Sequence, residues 1–224
     1  AINNCTITGS SSTMQSCAGG TGDTANITVD NATVTSTSGH GVHGAAEHTN
    51  ITFTGTNVIN LSGTAADTAV LASVSGNPNS SNTITVTAGS SLDIFNNSTL
   101  GTTERDGLEA NSAGTGGSTI HHSGSGTISV INGNAAHVRT SGTGNGTIIF
   151  DGATRANLIT SGDAHHGLSA STASGIARID SNATIQTSGI GSNGMQTSTG
   201  SGAILMTNRG TITATGSSSK GIFA

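Results

Sequence analysis

Apolar residues return along this chain in short alternating segments of three to five residues, without sustained helical periodicity. Three recurring positions can be followed from unit to unit. One opens each unit: Ile27, Ile51, Ile84, Ile120, Ile148, Ile176 and Ile204, the last four spaced by 28. A second follows at Val34, Leu61, Ile94, Val130, Leu158, Ile185 and Ile212. A third sits in a small–aliphatic–x–small setting such as "GVHG", "GLEA", "GLSA" and "GIFA", at Val42, Val70, Leu108, Val138, Leu168, Met195 and Ile222. Gly, Asn, Asp and Ser bound each segment, which is strand-and-turn punctuation.

Three short strands per unit, repeated seven times, predict an all-β chain. The architecture expected is a single-stranded right-handed parallel β-helix of about seven coils over residues 26–224, with residues 1–25 as an N-terminal cap. Like residues would then stack at the interstrand spacing of about 4.8 Å, giving a rod of roughly 35 Å. The signal is strong in the C-terminal half and weaker between 73 and 119.

Composition fits a thin stacked core. Only 8% of residues are charged, the net charge is −5, and there are 34 glycines and one proline, Pro78. So little charge gives the chain scant self-repulsion to hold it open. The six cations (Arg105, Arg139, Arg155, Arg178, Arg209, Lys220) are scattered singly, which argues against a nucleic-acid partner, since phosphate binding needs clustered cations. No apolar run approaches the roughly 20 residues of a helical membrane span. The opening "AINNCTITGS" has no signal-peptide pattern, and its alanine would suit a residue exposed by signal cleavage. Cys5 and Cys17, with no further ligands in range for zinc, read as a small disulfide loop worth roughly 3 kcal/mol; free thiols are the alternative.

Two departures from the repeat length mark candidate binding loops, 75–82 and 96–109, because insertions in solenoids collect where binding is placed. Their polar residues Asn77, Asn79, Arg105, Asp106 and Glu109 are the ligand-binding candidates. Counting two residues back from the third apolar position gives His40, Thr68, Asp106, Ala136, His166, Asn193 and Lys220. That mixture reads as an exposed corner, since burying it would cost free energy. Two residues forward gives Gly44, Ala72, Ala110, Thr140, Ala170, Thr197 and Ala224, a small inward column. His137, His165 and His166 fall on adjacent units at that corner and are the only metal candidates, with solvated turn histidines as the expectation and no cofactor expected.

No catalytic residues are expected. The nucleophile-elbow strings of serine hydrolases are missing. The 11 acids are dispersed, and Trp and Tyr are absent, which disfavours a polysaccharide-degrading β-helix with paired carboxylates and aromatic platforms. An ice-binding threonine ladder is a further alternative. After the first apolar position come Thr28, Thr52, Thr85, His121, Ile149, Ala177 and Leu205, so that ladder fails halfway.

The strings "GTITATGSSSKGIFA", "ATIQTSGIGSNGMQTST" and "NLITSGDAHHGLSAS" resemble passenger domains of Gram-negative autotransporters (type V secretion), of the pertactin-like and AIDA-like group. The resemblance covers about residues 120–224 well and 26–119 loosely, and it is one of repeat style. It implies a secreted β-helix on the bacterial cell surface, threaded through a C-terminal outer-membrane barrel that this chain lacks. It further implies adhesion, autoaggregation or host-factor binding in virulence. The partners would be a host cell-surface or serum protein, or a second copy of the chain.

Overall fold

The computed structural model describes residues 1–73, 78–99 and 105–224. Among them every regular element is a β-strand, every pairing between strands is parallel, and no helix is long and apolar enough to cross a membrane. The architecture is solenoid-like, with the strands stacked in three rows. The first row runs through His48–Thr54, Ser81–Val86, Gly117–His122, Gly146–Phe150, Ala177–Ser181 and Ile204–Asn208. The second runs through Thr56–Ala66, Ser91–Ser98, Thr127–Val130, Asn157–Ser161, Thr184–Ser188 and Thr211–Ala214. Two long bent strands, Ile2–Ser11 and Thr24–Gly39, serve both rows, so these form one 14-stranded sheet. The third row is an eight-stranded sheet: Gln15–Ala18, Val42–Ala45, Val70–Ser73, Leu108–Ser112, Ala136–Thr140, Leu168–Thr172, Met195–Thr199 and Ile222–Phe223.

Strict alternation puts one side chain in two between the rows, and the inward columns stack on their own copies. In the first row Ile27, Ile51, Ile84, Ile120, Ile148 and Ile179 lie in register and are 0–1% exposed. Beside them run Val29, Phe53, Val86, His122, Phe150 and Ser181, where a buried imidazole stacks on Phe150 at 4.9 Å between ring centroids.

Pairing corrects the register expected from spacing. Ile179 and Met206 continue the first column, while Ile176 and Ile204 are each 37% exposed. The second column uses Ile59 and Ile128 in place of Leu61 and Val130, and the third uses Ala136 in place of Val138. Each of these last three slips is two residues, which leaves the inward face unchanged and so is invisible to a pattern of period two. The forward column therefore contains Val138 rather than Thr140. The threonine column continues through Asp180 and Thr207 rather than Ala177 and Leu205, and it is still interrupted at His121.

The glycine before the Leu108–Ser112 and Leu168–Thr172 strands also has a physical cause. A Cβ on Gly107 would sit 2.6 Å from both the Ala135 carbonyl oxygen and Ile128 Cγ2. At Gly167 it would strike Ile185 and the Gly194 carbonyl. At these two layers the chain enters the third row between a second-row isoleucine and the next backbone layer, where a Cβ has no room.

Residues 1–25 carry the first two strands, which pair with Thr24–Gly39 and Val42–Ala45, and Cys5 and Cys17 are joined by a disulfide. The bond ties a strand of the 14-stranded sheet to the first strand of the eight-stranded one. In a stack each layer touches only its neighbours, so the loss should be local. Replacing both cysteines with serine is expected to cost a little under about 3 kcal/mol and to abolish amide-exchange protection over residues 2–18 first. Uniform loss along the chain would contradict this.

Candidate functional site

The corner between the second and third rows gathers several chemistry-bearing side chains. With the register corrected, the column two residues before the third-row apolar position is His40, Thr68, Asp106, Asn134, His166, Asn193 and Lys220. The expectation of an exposed corner is overturned. Thr68, Asp106, Asn134 and Asn193 are buried and His166 is half-buried. These polar groups tolerate burial because they satisfy one another. From Asp106 to Asn193 each side chain accepts a hydrogen bond from the backbone N–H of its counterpart one layer on. The Asn134 N–H donates to Asp106 Oδ1 at 2.7 Å, the His166 N–H to Asn134 Oδ1 at 2.7 Å, the Asn193 N–H to His166 Nδ1 at 3.0 Å and the Lys220 N–H to Asn193 Oδ1 at 2.9 Å. The column thus requires an acceptor, which Asp, Asn and neutral His all provide. Burial, followed by the charges of His165 and His137, pushes His166 down to about 4, so near neutral pH its Nδ1 is free to accept.

Where this ladder meets the third row it becomes charged. Asp106 is fully buried, and His137, one residue into its strand, is 3% exposed. The expectation that His137 is a solvated turn residue therefore fails. His137 Nδ1 lies 3.0 Å from Asp106 Oδ2. Burial alone would depress the imidazole, but the hydrogen bond and charge of Asp106 outweigh it and raise its pKa. Asp106 Oδ1 also accepts from Asn134 Nδ2 at 2.9 Å, which fixes the carboxylate plane and turns Oδ2 toward the imidazole. Glu109 stands beside His137 in the neighbouring strand, register partner to it. Its carboxylate accepts from Thr68 Oγ1 at 2.8 Å and from Asn111 Nδ2 at 2.5 Å. Desolvation, and then the Asp106 charge, raise the Glu109 pKa. Ligating atoms of Asp106, Glu109 and His137 all lie within 4.8 Å of one another.

The other candidates disperse. Arg105 is buried and donates from Nη2 to the Thr64 carbonyl at 3.4 Å, away from the cluster. Asn79 is exposed in a turn before Ser81–Val86, at the opposite end of the third-row strands, where the Pro78 carbonyl accepts from the Thr115 N–H. The described parts of the two insertions therefore lie at different corners. Asn77 lies outside the described residues. His165 and His166 are half-buried rather than facing out; His166 serves the ladder, and the His165 N–H donates to Ser192 Oγ at 3.3 Å. The repeated Asp, Asn or His directly ahead of the Gly–aliphatic step was the signal for the ladder. Asn134 escaped it through the two-residue slip.

A second cluster, His121, Ser123 and Asp151, has the composition of a hydrolase triad without its geometry. Ser123 Oγ (2.9 Å) and both Asp151 oxygens (3.1 Å) approach the same nitrogen, His121 Nε2. A relay needs the acid on one ring nitrogen and the hydroxyl on the other. Toward the last layers His166, Asn193, Gln196, Lys220 and Phe223 line a depression of about 330 Å³.

No protein-family model, no curated protein and no solved structure matches this chain.

Proposed function

We propose that the chain is a right-handed parallel β-helix of the autotransporter-passenger kind, displayed outside a Gram-negative cell and acting by binding rather than by catalysis. The observation that carries this reading is the outward face of the first-row strands over the early layers, which is polar and regular. Along it Asn50 Nδ2 donates to Asn26 Oδ1 and Asn26 Nδ2 to Asn4 Oδ1, each at 3.0 Å, and Thr28, Thr52 and Thr85 stack alongside. Such ladders order side-chain donors and acceptors at the interstrand spacing. A second copy, or an extended surface molecule, could meet them through many hydrogen bonds, each worth about 0.5–1.5 kcal/mol net. The right-handed sense follows from the general handedness of parallel crossovers. Seven repeats over residues 26–224 preceded by the disulfide-closed strands account for the eight strands of the third row. A disulfide suits an oxidising, extracytoplasmic setting.

The test is to fuse the chain to an autotransporter barrel and display it on a Gram-negative host. Displaying cells are expected to sediment faster than cells carrying the barrel alone, or to bind immobilised host surface and serum proteins. Cells that carry the folded chain outside and do neither would overturn the binding role, and so would turnover of a polysaccharide that vanishes on replacing one acid.

A further inference from the structure

We propose that Asp106, Glu109 and His137 bind one divalent transition-metal ion of the zinc class. The set joins two carboxylates and an imidazole from two adjacent layers, so it is a mixed oxygen and nitrogen donor group rather than a patch of acids. Mixed sets of this kind suit zinc and its neighbours, whereas calcium and magnesium prefer oxygen alone.

Geometry supports the assignment at each ligand. Two donors bound to one zinc ion at about 2.0–2.1 Å stand roughly 3.3 Å apart in a tetrahedral arrangement. His137 Nδ1 and Asp106 Oδ2 are already 3.0 Å apart, close to that value. Glu109 completes the set within 4.8 Å, so its carboxylate need move inward by no more than about 1.5 Å to reach the same ion. It is the least buried of the three, and this leaves both the freedom to move and a path from solvent.

The surroundings are those of an oriented site. Metal ligands are typically held by a second layer of hydrogen bonds that fixes their direction. Both Asn134 donors occupy Asp106 Oδ1, so Oδ2 faces only His137 Nδ1, whose proton the ion would replace, and Thr68 and Asn111 hold Glu109. The rival arrangement is an ion-pair network closed on itself, with Asp106 against His137 and the charge of nearby Arg139 also reaching the imidazole. The two differ in whether the protein takes up an ion.

The full chain, stripped with a chelator, would be titrated with zinc by calorimetry and with cobalt by visible absorption. One equivalent of zinc is expected, with a rise in Tm and a cobalt ligand-field band. Glu109→Gln and Asp106→Asn should each weaken zinc at least about tenfold. Glu109→Gln, half-buried and isosteric, decides the matter if the Asp106 variant fails to fold. Absence of zinc uptake by the unaltered chain would establish the self-contained ion-pair network and overturn the proposal. So would uptake unaffected by Glu109→Gln, or uptake abolished instead by His43→Ala, whose ring lies 4.8 Å from that of His40. Calcium or magnesium binding as tightly as zinc would overturn the choice of metal class.

Discussion

Asp106→Leu is expected to lower the stability of the chain by about 3–5 kcal/mol, the range for removing one partner of a buried charged pair. The substitution fills the site with a side chain of similar volume, so cavity formation contributes little. What it removes is acceptors. The Asn134 N–H and Nδ2 lose Asp106 Oδ1, and His137 loses the carboxylate that makes its burial tolerable. Buried donors left without partners bear their desolvation in full. Asp106→Asn keeps an oxygen for the Asn134 N–H and should cost clearly less. Urea unfolding would show a lower midpoint at unchanged slope for both, in that order. A leucine variant within about 0.5 kcal/mol of the unaltered chain, the usual range for a surface position, would show that the ladder contributes nothing to stability.

The row architecture was legible because strand alternation and a repeat of about 28 residues are both written in the positions of Ile, Val and Leu. Register was not, for two reasons. A strand reports only parity, so Ala136 and Val138, or Ile59 and Leu61, are equally good inward residues until backbone pairing selects one. Equal spacing also misled. Ile148 and Ile176 stand 28 apart, but the corner between them is longer, and the first-row place falls to Ile179. Ile176 instead lies between the bend at 173–175 and the strand, where its N–H donates to Asn145 Oδ1. The candidate site was half legible. Asp106, Glu109 and His137 were each singled out, but as members of different features, a binding loop and a histidine corner. Their convergence depends on Glu109 and His137 being register partners, which spacing placed two residues out. Burial of the polar corner was the least visible of all, because polarity predicts exposure unless the partners are known, and these come one from each successive layer.

Acid should destabilise this chain through His122, alongside His166. The His122 ring sits in the core, stacked on Phe150 and 1% exposed, and among the described residues neither ring nitrogen has a hydrogen-bond partner. Burial pushes its pKa down to about 4, and the nearby backbone groups of His122 and Gly124 offset only part of that. In the unfolded chain a histidine titrates near 6.5. Between these values the unfolded state holds the extra proton, so stability is complete above about pH 7 and falls as pH drops toward 4. The loss over that window is about 3 kcal/mol, at about 1.36 kcal/mol for each unit of displacement. His122→Phe removes the titrating group and places an aromatic ring between Val86 and Phe150, in a column that already carries Phe53. Unfolding free energies measured from pH 7.5 to pH 4 should therefore fall more steeply for the unaltered chain than for the variant. His166 and the remaining histidines are common to both proteins, so the difference between the two curves isolates His122. Parallel curves would mean that the imidazole is reached by water or by a proton-accepting partner in the folded state, and that the core at this layer is open.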